Sequence, residues 1–170
     1  RDDEFFSRPI IREWVTPMVS PVLVKDIAAP QDRARVPLFQ LEDTSFLDPP
    51  IDWPSWFAAA EADTPPINGP RFSQHDHALD AAAAGGGAVL GRISLASGDL
   101  AAGRLVAPFR TALRTEAHYR FVCSSGAEAI PAIAAFEAWI FDQVAGFQDF
   151  DNDMRFVDAE TVAPRKPRGA

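Results

Sequence analysis

"FSQHDHALDAAAAGGGAVLGRISLASGDLAAGRLVAPF", residues 72 to 109, changes character three times within forty positions. It opens on a polar loop, turns into an alanine-rich run, halts at three consecutive glycines and resumes as an apolar segment. Ala78, Leu79, Ala82 and Ala83 recur at helical spacing, so "HALDAAAA" reads as a helix with one buried face. Gly85 to Gly87 supply the left-handed backbone that closes a helix, and "GAVLGRISL" then reads as a buried strand. "GDLAAGRLVAPF" follows as a loop and edge segment. Just upstream, "PPINGPRF" is rich in turn formers and runs into a short strand. Strand, polar loop, helix and strand in succession point to an α/β fold with a largely parallel or mixed sheet.

The flanks extend the same pattern. In "PIIREWVTPMVSPVLV" Pro17 forbids a continuous helix, so residues 9 to 19 are expected to be an extended strand. Ser20 and Pro21 then have the chemistry of an N-cap and first helical position, which predicts a short helix in "SPVLVKDIAAPQDRAR". "VPLFQLE", 36 to 42, reads as a strand and "DTSFLDPPI" as a loop. "DWPSWFAAAEAD" is a helix capped by Asp52 or Ser55 and ending near Asp63. "AHYRFVCS" alternates Tyr119, Phe121 and Cys123 against His118, Arg120 and Val122 as a strand does. "IPAIAAFEAWIFDQVAGF" is the last clear helix, with Ile133, Phe136, Ile140 and Val144 on one side. From residue 149 five acidic residues precede Arg165, Lys166 and Arg168, which reads as a partly ordered tail. No internal repeat is visible.

Composition bounds the function. The 170 residues are 47% hydrophobic, enough for one domain with a real core or two small lobes. A net charge of -8 opposes the phosphate attraction on which nucleic-acid binding depends, so DNA is a poor partner for this segment. The single cysteine, Cys123, rules out an internal disulfide and a thiolate-built zinc site. No apolar run is long enough to span a bilayer, and "RDDEFFSRP" lacks the regions of a signal peptide, so the expectation is a cytoplasmic chain without membrane contact.

Few motifs carry chemistry. His75, Asp76 and His77 raise a metal reading, since side chains two apart on a strand share a face. A mononuclear site needs three or four ligands, and the remaining histidine is His118. Against this, Ser73, Gln74 and Asp76 suit the capping of a helix that starts near His77. Cys123 in an apolar strand reads as inert filling, and "CSSGAE" lacks the leading glycine of a nucleophile elbow. "GGGAVLG" has no following Lys-Ser/Thr pair, and its glycines end a helix where a phosphate loop would start one. No catalytic residue, metal or cofactor is assigned. Trp53 and Trp56 either line a pocket or pack in the core. In open α/β sheets the crevice beyond the strands' carboxyl ends gathers loop side chains and helix N-termini, so Ser73, Gln74 and His75 would offer donors to a polar or anionic ligand there.

The opening string resembles the second half of the effector-binding domain of LysR-type transcriptional regulators, in the branch of the glycine-cleavage activator and the β-lactamase regulator. The resemblance rests on Phe72, the alanine and glycine run from Ala81 to Gly87, Val89, Leu90, Asp99, Leu100, Gly103 to Val106, Pro108 and Phe109. "WVTPMVSPVLV" is similar to the family's crossover strand and "SP" helix start, and "PAIAAFEAWIFDQ" to its closing helix. The likeness covers about residues 9 to 145.

It implies a fold like a type II periplasmic binding protein, two α/β lobes joined by two crossover strands. Residues 1 to 148 would be a partial effector-binding domain: second lobe at 20 to 115, crossovers near 9 to 19 and 117 to 124, and the first lobe's last helix at 130 to 146. The first lobe's other strands and the DNA-binding helix-turn-helix would lie outside this stretch. By the same resemblance the effector loop maps to Ser73, Gln74, His75, Asp76 and His77, and Tyr119, Thr16 and Met18 on the crossovers face the cleft. Ser73 stands where the family often has aspartate. Implied partners are a small-molecule effector, copies of the same chain in a dimer or tetramer, and DNA only through the absent helix-turn-helix. The alternatives are a small metal-dependent enzyme using His75, His77 and His118, and a transport-type solute-binding lobe.

Overall fold

A computed structural model describes residues 4–27, 36–44, 47 and 49–162. Two long strands form its spine: β1 (Phe5–Val19) and β5 (Thr111–Ser124), paired antiparallel with irregularities near Ile11 and Glu13. The stretch expected as a crossover, 9 to 19, is therefore the greater part of a longer strand. β4 (Ala88–Arg92) pairs antiparallel with β1, and β6 (Arg155–Asp158) pairs parallel with β5. The resulting order is β4-β1-β5-β6. A second, parallel pair, β2 (Gln40–Leu41) and β3 (Arg71–Phe72), joins this sheet through a parallel bridge from Leu38 to Ala88. The sheet is mixed, as the alternation of elements predicted.

The helices follow from local chemistry. Ser20 is extended and Pro21 opens a 3₁₀ turn, Pro21–Asp26; the rest of the expected helix lies outside the described residues. At α1 (Trp53–Ala59) both cap candidates work together, since the Asp52 carboxylate accepts from the Ser55 N–H and the Ser55 hydroxyl accepts from the Asp52 N–H. The helix ends at Ala59, short of Asp63, because Glu61 turns to a φ of 55°. α2 (His75–Ala83) starts two residues before the expected His77, on an extended Gln74 that lends no side-chain cap. It buries Ala78, Leu79 and Ala82 and stops at Gly85, whose φ of 86° suits glycine. β4 closes at Arg92, and "ISLASGDLA" is a helix, α3 (Ile93–Ala101), where the sequence had suggested strand and loop. Strand-like Ile93 and Leu95 yield here because Ile93 and Ala96 bury a helical face.

Two buried clusters flank the spine. One gathers Val15, Val19, Leu38, Trp53, Trp56, Phe57 and Leu113. The other gathers Trp14, Met18, Leu79, Val89, Ile93 and Leu105. The segment expected as a tail is ordered through Val162: α5 (Phe147–Asp151), β6 and α6 (Ala159–Val162). Trp14 donates its indole N–H to Asp151 at 2.7 Å and packs edge-on against Phe156, while Ala159 is buried. This stretch covers the edge of β5 that would otherwise stand open. Residues 163 to 170, with Arg165, Lys166 and Arg168, lie outside the described part. α4 (Pro131–Val144) buries no residue fully; Ile133, Ile140 and Val144 are half-buried, but Phe136 and Trp139 are exposed.

Two glycines allow a paired test of backbone packing. A Cβ at Gly69 would run into the Leu38 backbone carbonyl, whereas one at Gly98 meets nothing. Gly69→Ala is expected to cost about 1–3 kcal/mol by forcing β2 and its neighbours to shift. Gly98→Ala, inside α3, should instead gain about 0.5–1 kcal/mol. Urea denaturation of both variants checks the pair; a harmless Gly69→Ala contradicts the packing.

Candidate effector cavity

Each of the strands β2, β3 and β4 hands over to a helix at the same end of the sheet, and the helix starts meet there. Asp52, Trp53 and Pro54 open α1, His75 opens α2, and Arg92 immediately precedes α3. All five residues line one cavity of about 360 Å3, together with Phe39, Gln40, Leu41 and Thr44 from β2 and its exit. Its apolar wall is completed by Val15, Leu47, Ile51, Ile67 and Leu90. A second, smaller cavity is lined by Glu13, Leu47, Arg92, Ala117, His118 and Tyr119. The two share Leu47 and Arg92.

Arg92 is fixed by a buried carboxylate. Glu13, on β1, is 1% exposed. Its Oε2 accepts from Arg92 Nε at 2.9 Å, Arg92 Nη2 at 2.7 Å and the Ser94 hydroxyl at 2.6 Å, and its Oε1 accepts from the Ser94 N–H at 3.2 Å. Glu13 thus also serves as the anion at the start of α3. Arg92 Nη2 further donates to the Tyr119 hydroxyl at 3.3 Å, tying β5 to the same point.

His75 is the unusual group. Both ring nitrogens are buried and have no hydrogen-bond partner among the described residues. Burial, with the nearby Arg92 charge, pushes its pKa down to about 4, while Asp76 pulls weakly the other way. At neutral pH the imidazole is uncharged and offers one donor and one acceptor.

The structure divides the expected site residues. His75 lines the larger cavity, and Tyr119, 45% exposed, lines the smaller. Ser73, Gln74, Asp76 and His77 are exposed and line neither; Asp76 accepts from the His77 N–H on the outer side of α2. Thr16 and Met18 are fully buried, which corrects their placement on the cleft: the Thr16 hydroxyl is donated to the Thr111 carbonyl and Met18 belongs to the core. The face of β1 that carries Met18 is covered by α2 and α3, so β1 reaches the cavities through Glu13 and Val15 instead. The three histidines lie apart, and among the described residues no group of three metal-ligating side chains comes together. Trp53 is at once core and wall, donating its N–H to the Phe39 carbonyl at 2.7 Å, while Trp56 is wholly core.

Sequence reasoning missed Glu13 and Arg92. Arg92 carried a readable signal, a charge at the carboxyl end of an apolar strand.

The LysR substrate binding domain family model matches residues 1–145. The chain belongs to that family. Among curated relatives it is 31% identical over 141 residues to the glycine cleavage system transcriptional activator of Escherichia coli K12, covering 81% of this chain and 44% of that protein. It is 28% identical over 137 residues to the HTH-type transcriptional activator AmpR of Rhodobacter capsulatus, covering 81% and 45%. The chain thus spans about half the length of the curated relatives it matches. Its fold is that of the effector domain of AmpR from Pseudomonas aeruginosa, with a TM-score of 0.62 at 21% identity over 87% of this chain and 69% of that one. The effector binding domain of AmpR from Citrobacter freundii gives 0.61 at 21% identity, covering 85% and 70%. These relatives are transcriptional regulators, and the family match lends no support to a metal-dependent enzyme.

The lowered pKa of His75 fixes a sign for stability. Between pH 6.5 and about 4 the unfolded chain takes up a proton that the folded His75 refuses, so folding stability falls as pH drops through this window. At about 1.36 kcal/mol per pH unit the loss reaches roughly 3 kcal/mol. His75→Phe should flatten that part of the curve in denaturant titrations at pH 4.5, 5.5 and 7; an unchanged slope contradicts the buried neutral imidazole.

Proposed function

We propose that this chain is the effector-sensing part of a bacterial LysR-type transcription regulator, holding a small molecule in the cavity between His75 and Arg92. The observation that carries the reading is the convergence of three strand-to-helix turns on one cavity, with Trp53, His75 and Arg92 in its wall. Such crevices at the carboxyl ends of strands are where α/β sheets take ligands. A cavity of about 360 Å3 falls in the range for small-molecule sites.

The family supports the regulatory role, since its members from Escherichia coli and Rhodobacter capsulatus named above are transcriptional activators. In this reading Ser73, Gln74, Asp76 and His77 form the outer rim of the effector loop, and Tyr119 reports from the second crossover. The ligand acts by binding one lobe arrangement more tightly than another, which shifts their populations. DNA contact belongs to a helix-turn-helix in the rest of the regulator, in keeping with a net charge of -8 here. Assembly as a dimer or tetramer and a cytoplasmic location complete the proposal. No helix among the described residues is long and apolar enough to cross a membrane.

Thermal-shift screening of the chain against small metabolites tests the reading. A ligand present at a hundred times its Kd stabilises by about 2.7 kcal/mol. Leu41→Trp, which fills the cavity from its wall, should abolish the shift. Stabilisation that survives Leu41→Trp, or a sequence-specific DNA shift by this chain alone, contradicts it.

A further inference from the structure

Three helix N-termini face the larger cavity, and the protein supplies an inward carboxylate to only two of them. Asp52 is bound into the capping box of α1 through Ser55. Glu13 meets the first turn of α3 through Ser94. At α2 the N-cap residue Gln74 makes no side-chain cap bond, and Asp76 is turned to the exposed side onto its neighbour's N–H. Beside that third start sits His75, with both ring nitrogens buried and unpartnered among the described residues. A buried donor and acceptor left without partners are costly, and a ligand group that satisfies them recovers that cost on binding.

The signs of the surrounding charges decide what the group is. Arg92 lines the same cavity as His75, held in place by Glu13. The N-terminus of α2 adds positive potential. Other charges on elements packed against α2 are already engaged or lie on its outer side. Arg8 and Arg12 of β1 pair with Glu137 and Glu116, and Asp99 of α3 pairs with Arg104. Arg71 of β3, and His77 and Asp80 of α2, are exposed. A cation would face Arg92 and a helix start; an anion is favoured by both. The one carboxylate in the described wall, that of Asp52, is held in the α1 cap by the Ser55 N–H and hydroxyl. Gln40 and Thr44 are neutral, and Phe39, Leu47, Ile51, Trp53 and Ile67 supply apolar and aromatic surface.

We propose that the larger cavity takes a small apolar carboxylate whose charged end sits between His75 and Arg92, and that His75 takes up one proton from solvent as it binds. The inference rests on the effector-cavity reading and narrows it to one ligand class. The free imidazole is neutral down to about pH 4 because it is buried beside Arg92. A carboxylate placed against the ring favours the protonated form, so the affinity rises as pH falls toward the acid side, by up to tenfold per pH unit.

Isothermal titration with phenylacetate as anionic probe and phenylacetamide as its neutral counterpart tests this on the chain. The expected result is saturable phenylacetate binding that tightens from pH 8 to pH 6. Comparison of phosphate and Tris buffers should show proton uptake, and the amide should bind at least tenfold more weakly. His75→Gln should remove the proton uptake and the pH dependence. Gln74→Asp, which gives α2 its own carboxylate cap, should raise Tm and weaken phenylacetate at least fivefold, and it decides the matter if His75→Gln does not fold. Phenylacetate binding without proton uptake overturns the inference. So does an amide that binds as tightly as the acid; if that binding is lost in Leu41→Trp, the effector-cavity reading survives. Failure of both probes overturns the carboxylate inference alone, and leaves the cavity reading to the wider metabolite screen.

Discussion

A carboxylate closed away from water sets the geometry of this molecule. Glu13 lies within the long first strand at 1% exposure and accepts four hydrogen bonds, from Arg92 and Ser94. A charge so placed is tolerable only where its partners are fixed and complete, because desolvation of an ion costs several kcal/mol. The arrangement therefore locks β1, the end of β4 and the first turn of α3 into one register. The Arg92 guanidinium is delivered to the boundary of both cavities by the same contact.

The apolar construction explains why that boundary can be a binding site. Trp53, Trp56 and Phe57 of α1 pack beneath β1 and β5, and the Trp53 and Trp56 N–H groups are donated to the Phe39 and Thr111 carbonyls. Part of the cavity wall, at Val15, Trp53 and Leu90, is thus the outer surface of a close-packed core. At the sheet edge away from β4, β6 extends the sheet and α6 packs against α1 in the same cluster, both beyond residue 145, where the family match ends. Arg155 joins this addition to α1 by donating to the Ala59 carbonyl at 2.7 Å.

Much of this was legible in the sequence, for identifiable reasons. The alanine face of α2, the glycine stop and the Asp52–Ser55 cap are local devices whose physics is contained in a few adjacent residues. The string from 72 to 109 was also enough to indicate the family, and with it the fold. The ion pair was not legible, because Glu13 and Arg92 are 79 residues apart and nothing in either neighbourhood marks them as partners. The same holds for β6: "RFVD" is too short to show a period, and its pairing with β5 depends on Trp14, Asp151 and Phe156 meeting across the fold. Within the loop 73 to 77, five polar residues looked alike. Only the start of α2, two residues earlier than the capping pattern suggested, turns His75 inward and leaves Asp76 and His77 outside.

The most direct measurement of the central claim is a double-mutant cycle in urea between Glu13→Gln and Arg92→Met. Each single change breaks a buried pair and should cost about 3–5 kcal/mol. If Glu13 and Arg92 act as one unit, the double variant recovers part of that loss, with a coupling energy above about 1.5 kcal/mol, within the range known for residues in contact. Losses that add to within about 0.5 kcal/mol would show that the two residues act independently, and the account of a cavity organised by their contact would be wrong.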